Sequence, residues 1–508
     1  MRILFVRPPV PPHTIGLKHI MICEPLELEY AAAGLDGHDV QIMDMIIEKG
    51  FPKRLERFRP DIVATSCYIT GVNEVIKLCR QTKLWNRNCI TVVGGTQASQ
   101  VPEDFADAAV DCIVKGDGTS MMPEIVDALE KGRSLRNIPG LAFPVGPGEV
   151  ELTTGKAYMP KADDLPFPRR DLVAHLRHRY YYLQHQPVAT MKTTWGCWYK
   201  CNFCYTWRIT DGLPYSRSPE SIIEELEQID AEDVYIVDDI FLINKSRLRK
   251  LADMIKERNI RKKYLVYARS DFISENEDII AEWAGLGLHA VFIGLEAATN
   301  TELDSMNKES TVDYNRRAIE VLRKYKIDTY GSLIPDPSYT KEDWKRLWDF
   351  IQETGLYYVN ISPLTPQPGT VIWDMYKDKV TIPREAHGLW DFSHSLLPTR
   401  MSLKEYYRNL LKLYAKTCLN ISRAQKLTQR TLPSVWSWKY FRMMLGAMKI
   451  GRQFLNAHRH HSEKELKRAM YRGPEVPGLA YQPRSNQSVS VKSRPIDIGK
   501  AAAGQPGN

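Results

Sequence analysis

Three cysteines carry the sharpest chemical signal in the chain. Cys197, Cys201 and Cys204 stand in one loop, Thr193-Thr194-Trp195-Gly196-Cys197-Trp198-Tyr199-Lys200-Cys201-Asn202-Phe203-Cys204-Tyr205, at the spacing C-x3-C-x2-C. Thiolates are soft ligands that suit iron–sulfur clusters. Three of them from one loop hold three corners of an iron–sulfur cube and leave the fourth iron without a protein ligand, open to a reactant. A structural zinc site needs four closed ligands instead, and no fourth Cys or His follows at a usual spacing. The loop comes directly after an apolar segment, Pro187 to Met191, that reads as a strand.

With Phe203 as the aromatic before the third cysteine, the loop resembles the signature of radical S-adenosylmethionine (radical SAM) enzymes, which implies a four-iron four-sulfur cluster and bound SAM. Beyond it, apolar runs alternate with helical segments: Val234 to Val237, Tyr264 to Ala268, Val291 to Ile293, Thr329 to Leu333 and Tyr358 to Ser362, with helices from Lys245, Glu275, Asp313 and Lys341. Ser218-Pro219-Glu220 opens a further helix with an N-cap, a first-turn proline and an acid at the positive dipole end. Counting Ala189 to Met191, six strand–helix units predict a partial (βα)6 barrel, whose chemistry belongs at the C-terminal strand ends. Those ends are the cysteine loop, Asp238-Asp239, Arg269-Ser270-Asp271, Gly294-Leu295-Glu296, Pro335-Asp336 and Pro366-Gln367-Pro368-Gly369-Thr370. SAM presents an ammonium, a carboxylate, a ribose and an adenine, so it needs acidic, basic, polar and flat apolar partners from several strands. Asp238 and Asp239 are equally suited to capping the next helix. Arg269 suits a bound carboxylate or a pairing with Asp271. Glu296 would be costly to bury without a partner, which favours a ligand role. In the resemblance, the acidic pair stands where such enzymes usually carry Gly-Gly-Glu for the SAM amino group, while Ser270 and Glu296 match positions that hold its carboxylate or ribose.

The N-terminal third repeats a similar rhythm. Arg2 to Val6, Val40 to Met43, Ile62 to Thr65, Ile90 to Val93 and Cys112 to Val114 are continuous apolar runs between helical segments, and Glu24-Pro25 starts the first helix. Such runs predict a doubly wound, five-stranded parallel sheet covered on both faces. Ligands of such sheets lie beyond the strands' carboxyl ends, which places Ser66, Cys67, Tyr68, Gly94, Gly95, Gly116 and Gly118 at a cofactor site. Any one of these glycines could equally serve a tight turn. No G-x-G-x-x-G follows the first strand, which disfavours a dinucleotide. Val92-Val93-Gly94-Gly95 and Lys115-Gly116-Asp117-Gly118 resemble the Rossmann-like cobalamin-binding domain that precedes many radical SAM modules. The D-x-H-x-x-G signature is absent, so the resemblance implies base-off cobalamin without a histidine ligand. Its nucleotide tail would lie near Ser66 and Gly94-Gly95, and the lower face of cobalt near Tyr68 to Thr70.

The remaining stretches bound the organisation. A chain of 508 residues with 43% hydrophobic content implies two or three globular domains. The expected division is a cobalamin-binding domain over 1–145, a linker over 146–185, the barrel over 186–375, a helical C-terminal domain over 376–472 and a disordered tail over 473–508, rich in Pro, Gly, Ser and Gln. Within the linker, the run Tyr180-Tyr181-Tyr182 reads as packing. Outside the triplet the other six of nine cysteines, Cys23, Cys67, Cys79, Cys89, Cys112 and Cys418, fall singly. That pattern is one of buried free thiols and not of a disulfide framework. With no apolar leader after Met1 and no eighteen-residue apolar run, a reducing cytoplasm is expected. The net charge of +8 is concentrated toward the C-terminus. Ser402 to Leu427 is amphipathic, and Pro433 to Leu455 mixes Trp436, Trp438, Phe441, Met444 and Phe454 with Lys439, Arg442, Lys449 and Arg452. A helix of that kind rests on an anionic membrane at its inner face, covers an apolar substrate tunnel, or is an ordinary packed helix with a solvated basic side. His458-Arg459-His460-His461 offers metal ligands or merely a polar helix end. No nucleic-acid motif accompanies the charge.

Over about the first 370 residues the chain resembles cobalamin-dependent radical SAM enzymes of the class that methylates unactivated carbon. The resemblance implies reductive cleavage of SAM by the cluster, hydrogen removal from a substrate carbon, methyl delivery from methylcobalamin and an external one-electron reductant of flavodoxin or ferredoxin type. Substrate would be a small or lipid-like molecule. An oxidative cyclase or rearrangement enzyme would share every motif. A methylthiotransferase would want a second cysteine triplet, and a non-catalytic electron carrier or cobalamin-binding module would have no use for an open iron within a barrel.

Overall fold

A computed structural model describes residues 1–155, 161–417 and 438–483. The N-terminal sheet begins with β1 (Arg2–Arg7), whose Ile3, Leu4, Phe5 and Val6 are almost wholly buried. Because successive side chains alternate, Ile3 and Phe5 enter one apolar cluster and Leu4 and Val6 another, as expected of a strand covered on both faces. After the short β2 (Met21–Ile22) come β3 (Asp39–Asp44), β4 (Ile62–Ser66), β5 (Ile90–Gly94) and β6 (Cys112–Val114). These four and β1 form the expected five-stranded parallel array. The sheet then gains two strands that the sequence reading assigned to domain end and linker. β7 (Leu141–Gly146) and β8 (Glu149–Leu152) extend it antiparallel, in the order β3-β1-β4-β5-β6-β7-β8. Pro144, Gly146, Pro147 and Gly148 read locally as turn, yet Leu141 and Phe143 are buried with the sheet core, so packing overrides propensity.

The linker is an ordered wedge. Its β9 (Tyr181–Tyr182) pairs antiparallel with β2. The barrel follows, with β10 (Val188–Met191), the short pair β11 (Thr194–Trp195) and β12 (Tyr215–Ser216), then β13 (Asp233–Ile236), β14 (Lys263–Ala268), β15 (Leu288–Glu296), β16 (Asp328–Leu333) and β17 (Tyr358–Ile361). β10 and β13–β17 make one six-stranded parallel sheet, the expected partial barrel. Ser218 caps the helix Pro219–Gln228 by accepting from Ser221 N, with Pro219 in its first turn. The helix expected from Glu275 instead divides into Ser270–Glu275 and Glu277–Leu286. Val234, Ile236, Tyr264, Val266, Val291 and Ile293 face the outer helices, whereas Tyr235, Leu265, Ala290, Tyr330 and Tyr358 face inward and join the N-terminal sheet's cluster. Core thus continues from one domain into the other.

The C-terminal part closes the assembly. The helix Leu403–Lys416, capped by Ser402, packs on the barrel, and the helix Trp438–Asn456 packs across it. Cys418 and the rest of the amphipathic stretch to Leu427 lie outside the described residues, as does the tail from 484. Residues 473–483 are not the loose tail expected. The carbonyls of Gly473, Pro477 and Pro483 accept from Arg80, Arg87 and Arg136, Gln482 donates to Asp111 O, and Leu479 packs on the N-terminal core. Composition suggested disorder there, but backbone carbonyls docked on a row of arginines satisfy it without a core of its own. No helix among the described residues is long and apolar enough to cross a membrane.

The domains are joined by buried charge. Glu24 accepts from Arg170 Nη1 at 2.5 Å and Arg177 Nη1 at 3.2 Å, while Arg170 Nη2 donates to Glu225 of the barrel at 2.6 Å. Glu29 is fully buried beside them, 3.8 Å from Arg170, and makes no side-chain hydrogen bond. Burial and the neighbouring Glu24 hold its carboxyl well above the usual range, against the pull of Arg170 and Arg177. The native state therefore favours the protonated acid. That stability is complete below the unfolded value of about 4.3 and is lost as pH rises through the folded one. Glu29→Gln is expected to match the wild type at acidic pH and to exceed it above neutrality by roughly 1 kcal/mol or more, one pKa unit being worth about that much. Urea unfolding across pH measures the difference, and parallel pH slopes for the two proteins would contradict it.

Candidate active site

The cysteine loop is held from below by the acidic pair at the end of β13. Asp238 is buried, and its carboxylate accepts from Thr193 N at 2.6 Å, Thr194 N at 3.0 Å and Thr193 Oγ1 at 2.5 Å. Asp239 accepts from Gly196 N at 2.8 Å and pairs with Lys192 at 3.2 Å. Gly196 has φ +84°, and a Cβ there would fall 2.2 Å from Thr210 Oγ1, so the turn into Cys197 requires glycine. From the other side, Asn202 N donates to Met306 O, and Asn307 donates to Lys200 O. Cys201 is buried, whereas Cys197 and Cys204 are half-buried. Burial pushes the Cys197 thiol up to about 11 and raises Cys201 and Cys204 as well. Metal binding at these thiols must therefore release protons.

All three thiols open into a cavity of about 560 Å3 inside the barrel mouth, shared with Phe203, Asp239, Arg269 and Glu296. Asp238 and Ser270 do not line it. Ser270 is fully buried with its hydroxyl 3.0 Å from Ser310, and Asp238 is spent on loop amides. Both corrections have one cause. Strand alternation continues past the strand ends, so Tyr235 and Asp239, Tyr267 and Arg269, and Phe292, Gly294 and Glu296 reach the cavity, while Asp238 and Ser270 point away from it. Arg269 lies over the Tyr199 ring, 3.5 Å from its centroid, donates to the carbonyls of Lys308 and Glu309, and pairs with Asp271. The Asp271 partner weighed from sequence is thus present. Glu296 has φ +60°, a strained value for a residue with a side chain. Its carboxylate pairs with Lys308 at 2.7 Å, folded over Gly294, where a Cβ would meet Glu296 Oε1 at 2.3 Å. Burial alone would lower Lys308, but Glu296 and Cys201 outweigh it and hold the amine protonated.

At the carboxyl ends of the N-terminal sheet, Ser66, Gly94, Gly95, Gly116 and Gly118 are half-buried and lie on adjacent loops. Gly95 has φ +97°, and a Cβ would fall 2.5 Å from Ser66 Oγ, so these two loops touch only because residue 95 is glycine. Asp117 caps the helix Gly118–Glu130. Tyr68 is 69% exposed and stands within electrostatic reach of Glu27, Tyr205, Tyr267 and Asp239. Those groups come from both domains, so Tyr68 stands between the N-terminal sheet and the barrel. The side-chain-free backbone at Gly94 and Gly95, held against Ser66, offers the kind of surface a broad flat cofactor can lie against.

Comparison with known proteins agrees with this geometry. Residues 191–351 match the Radical SAM superfamily, and residues 12–126 match the B12 binding domain. The hopanoid C-3 methylase of Methylococcus capsulatus is 32% identical over 397 residues, covering 77% of this chain and 75% of that protein. The chain belongs to the cobalamin-dependent radical SAM enzymes. An anaerobic magnesium-protoporphyrin IX monomethyl ester cyclase of Rubrivivax gelatinosus is 25% identical, over 75% of this chain and 71% of its own length. The fold resembles that of the cobalamin-dependent SAM radical enzyme OxsB with aqua-cobalamin bound, at a TM-score of 0.66 and 15% identity, covering 93% of this chain and 78% of that one. A radical SAM enzyme of this family works with a four-iron four-sulfur cluster, SAM and cobalamin, and the residues above fit all three.

Several lining residues escaped the sequence reading. Lys308 follows the helix Asn300–Ser305 in an aperiodic turn, and nothing local marks it. Tyr182, taken for packing, enters the barrel beside Tyr235, Phe292 and Tyr330. The inward tyrosines did leave a signal, since Tyr235, Tyr267, Tyr330 and Tyr358 sit at alternate strand positions where an ordinary core would be aliphatic. Asp238→Ala should strip the cysteine loop of three hydrogen bonds and cost about 3 kcal/mol. Iron retained per chain after anaerobic reconstitution should fall well below that of the wild type, whereas Ser270→Ala should retain the full amount. Equal iron in the Asp238 variant would contradict the assignment.

Proposed function

We propose that this protein methylates an unactivated carbon of an apolar, lipid-like molecule. One observation carries this reading: the cavity that receives the three thiols is walled by aromatic and aliphatic side chains, Tyr182 from the linker wedge, Tyr235, Phe292 and Tyr330 from the barrel and Met444, Ile450 and Phe454 from the helix Trp438–Asn456. A wall of that composition favours a bulky apolar guest with few polar groups. The hopanoid methylase relative fits the same class of substrate.

The roles divide by position. Cys197, Cys201 and Cys204 would hold the cluster, with Phe203 against it. Glu296 and Asp239 offer carboxylates to the SAM ammonium and ribose, and Lys308 and Arg269 offer positive charge to its carboxylate. Ser66, Gly94, Gly95, Gly116 and Gly118 would receive cobalamin, with Tyr68 facing it. When bound, these groups supply reductive SAM cleavage, hydrogen abstraction and methyl transfer. The chain's own contribution is to orient substrate and exclude water, which the inward tyrosines and the covering helix do. Electrons would come from an external flavodoxin- or ferredoxin-type reductant, and the setting would be the cytoplasm, at the inner face of the membrane where an apolar substrate resides.

Cys201→Ala is expected to abolish the iron–sulfur absorption band and 5′-deoxyadenosine formation together. Retention of a normal band would refute the ligand assignment, and absence of 5′-deoxyadenosine from the reconstituted wild type would leave only a carrier. A cyclase remains the second reading, favoured by the Rubrivivax relative, and mass spectrometry of lipids and pigments from a deletion strain separates them. Loss of a species heavier by one methyl group supports methylation, whereas loss of an oxidised, unmethylated ring product supports cyclisation.

A further inference from the structure

The helix Trp438–Asn456 has more apolar surface than the barrel uses. Its inner side, including Met444, Ala447, Ile450 and Phe454, lines the cavity. Its outer side leaves Phe441, Leu445, Met448 and Leu455 between 39% and 51% exposed. At 100° per residue these four lie within one narrow stripe, and Leu455 falls only about 20° around the axis from the cavity-lining Met444. The exposed stripe therefore begins where the cavity face ends, with no polar band between them.

The charge around this stripe is predominantly positive. From Tyr406 to Ser462 the chain has eleven Lys and Arg residues and no Asp or Glu, with Glu405 and Glu463 just outside. Of these, Lys449, Arg452 and Arg459 are exposed on or beside the helix and Arg408 on its neighbour, and Lys404 and Lys18 add exposed cations from outside that stretch. Burial foremost, and then Lys18 and Lys449, depress His19, while burial and then Arg459, Lys404 and Arg408 depress His458, which places cations beside the middle of the stripe and at its C-terminal end. Gly446 packs so closely on His19 that a Cβ would meet its carbonyl oxygen at 2.2 Å, so the helix is pinned in this orientation.

We propose that this helix lies in the surface of an anionic bilayer and that substrate passes from the lipid directly around its edge into the cavity. Phe441, Leu445, Met448 and Leu455 match the acyl boundary, while the long cationic chains of Arg452, within the stripe, and Lys449, beside it, reach the headgroups. The proposal rests on the lipid-like substrate argued above and adds where that substrate enters. Binding is measured without turnover, so the two ideas can fail separately.

Full-length protein should co-sediment with vesicles of phosphatidylglycerol and phosphatidylcholine in equal parts, and at least about tenfold less with phosphatidylcholine alone. The double variant L445S and M448S should lose most of that binding, and K449E with R452E should lose it as well, with any residual binding no longer weakened by added salt. None of these residues touches the cysteine loop, so 5′-deoxyadenosine formation without substrate should stay at the wild-type level and report intact folding. Indifference of the wild type to anionic vesicles, or undiminished binding by L445S and M448S, would overturn the proposal. So would a dimer in solution that the serine variant dissociates, since a second copy would then cover the stripe.

Discussion

One buried carboxylate ties the N-terminal domain to the strand that leads into the cysteine loop. Glu24 leaves the N-terminal domain just before its first helix and accepts from Thr190 N, in β10, at 2.6 Å, three residues before the cysteine loop begins at Thr193. Arg170 and Arg177 neutralise it, and Arg170 carries the link on to Glu225, which Arg217 shares. Desolvated charges of this kind contribute little net stability against an apolar substitute, but losing one partner strands the rest at high cost. Their effect is positional. They fix the N-terminal domain against the barrel strand that leads into the cysteine loop.

A second pair of carboxylates repeats the principle at shorter range. Asp238 and Asp239 look interchangeable in sequence, yet one grips the amides that launch the loop while the other keeps a face in the cavity. Glu296 and Lys308 make the third such arrangement, close to Cys201. Acidic side chains thus position the cysteine loop from outside and line the cavity from inside, beside a wall of tyrosines.

Much of this was legible without coordinates. The cysteine spacing, the strand–helix rhythm of both domains and the Ser218 cap are local patterns, set by a few adjacent residues and the periods 2 and 3.6. Of the strand-end residues expected to bind SAM, Asp239, Arg269 and Glu296 reach the cavity and Asp238 and Ser270 do not. Counting by twos from the inward tyrosines would have separated them. The hairpin of β7 and β8 and the docked segment 473–483 were misread for the opposite reason: their residues have turn-like composition and acquire structure only from the sheet and arginines they meet.

The sequence by itself determined the chemistry that can be attempted, because three thiols within one loop limit the metal site whatever surrounds them. Only the tertiary structure decided what that chemistry can reach. Lys308, Tyr182 and the helix Trp438–Asn456 enter the cavity from positions far apart along the chain. No local period marks a residue whose role comes from a long-range approach. Their placement follows from burying two sheets, one ordered wedge and a covering helix against each other, a global balance of apolar area and paired charge that short-range spacing does not encode.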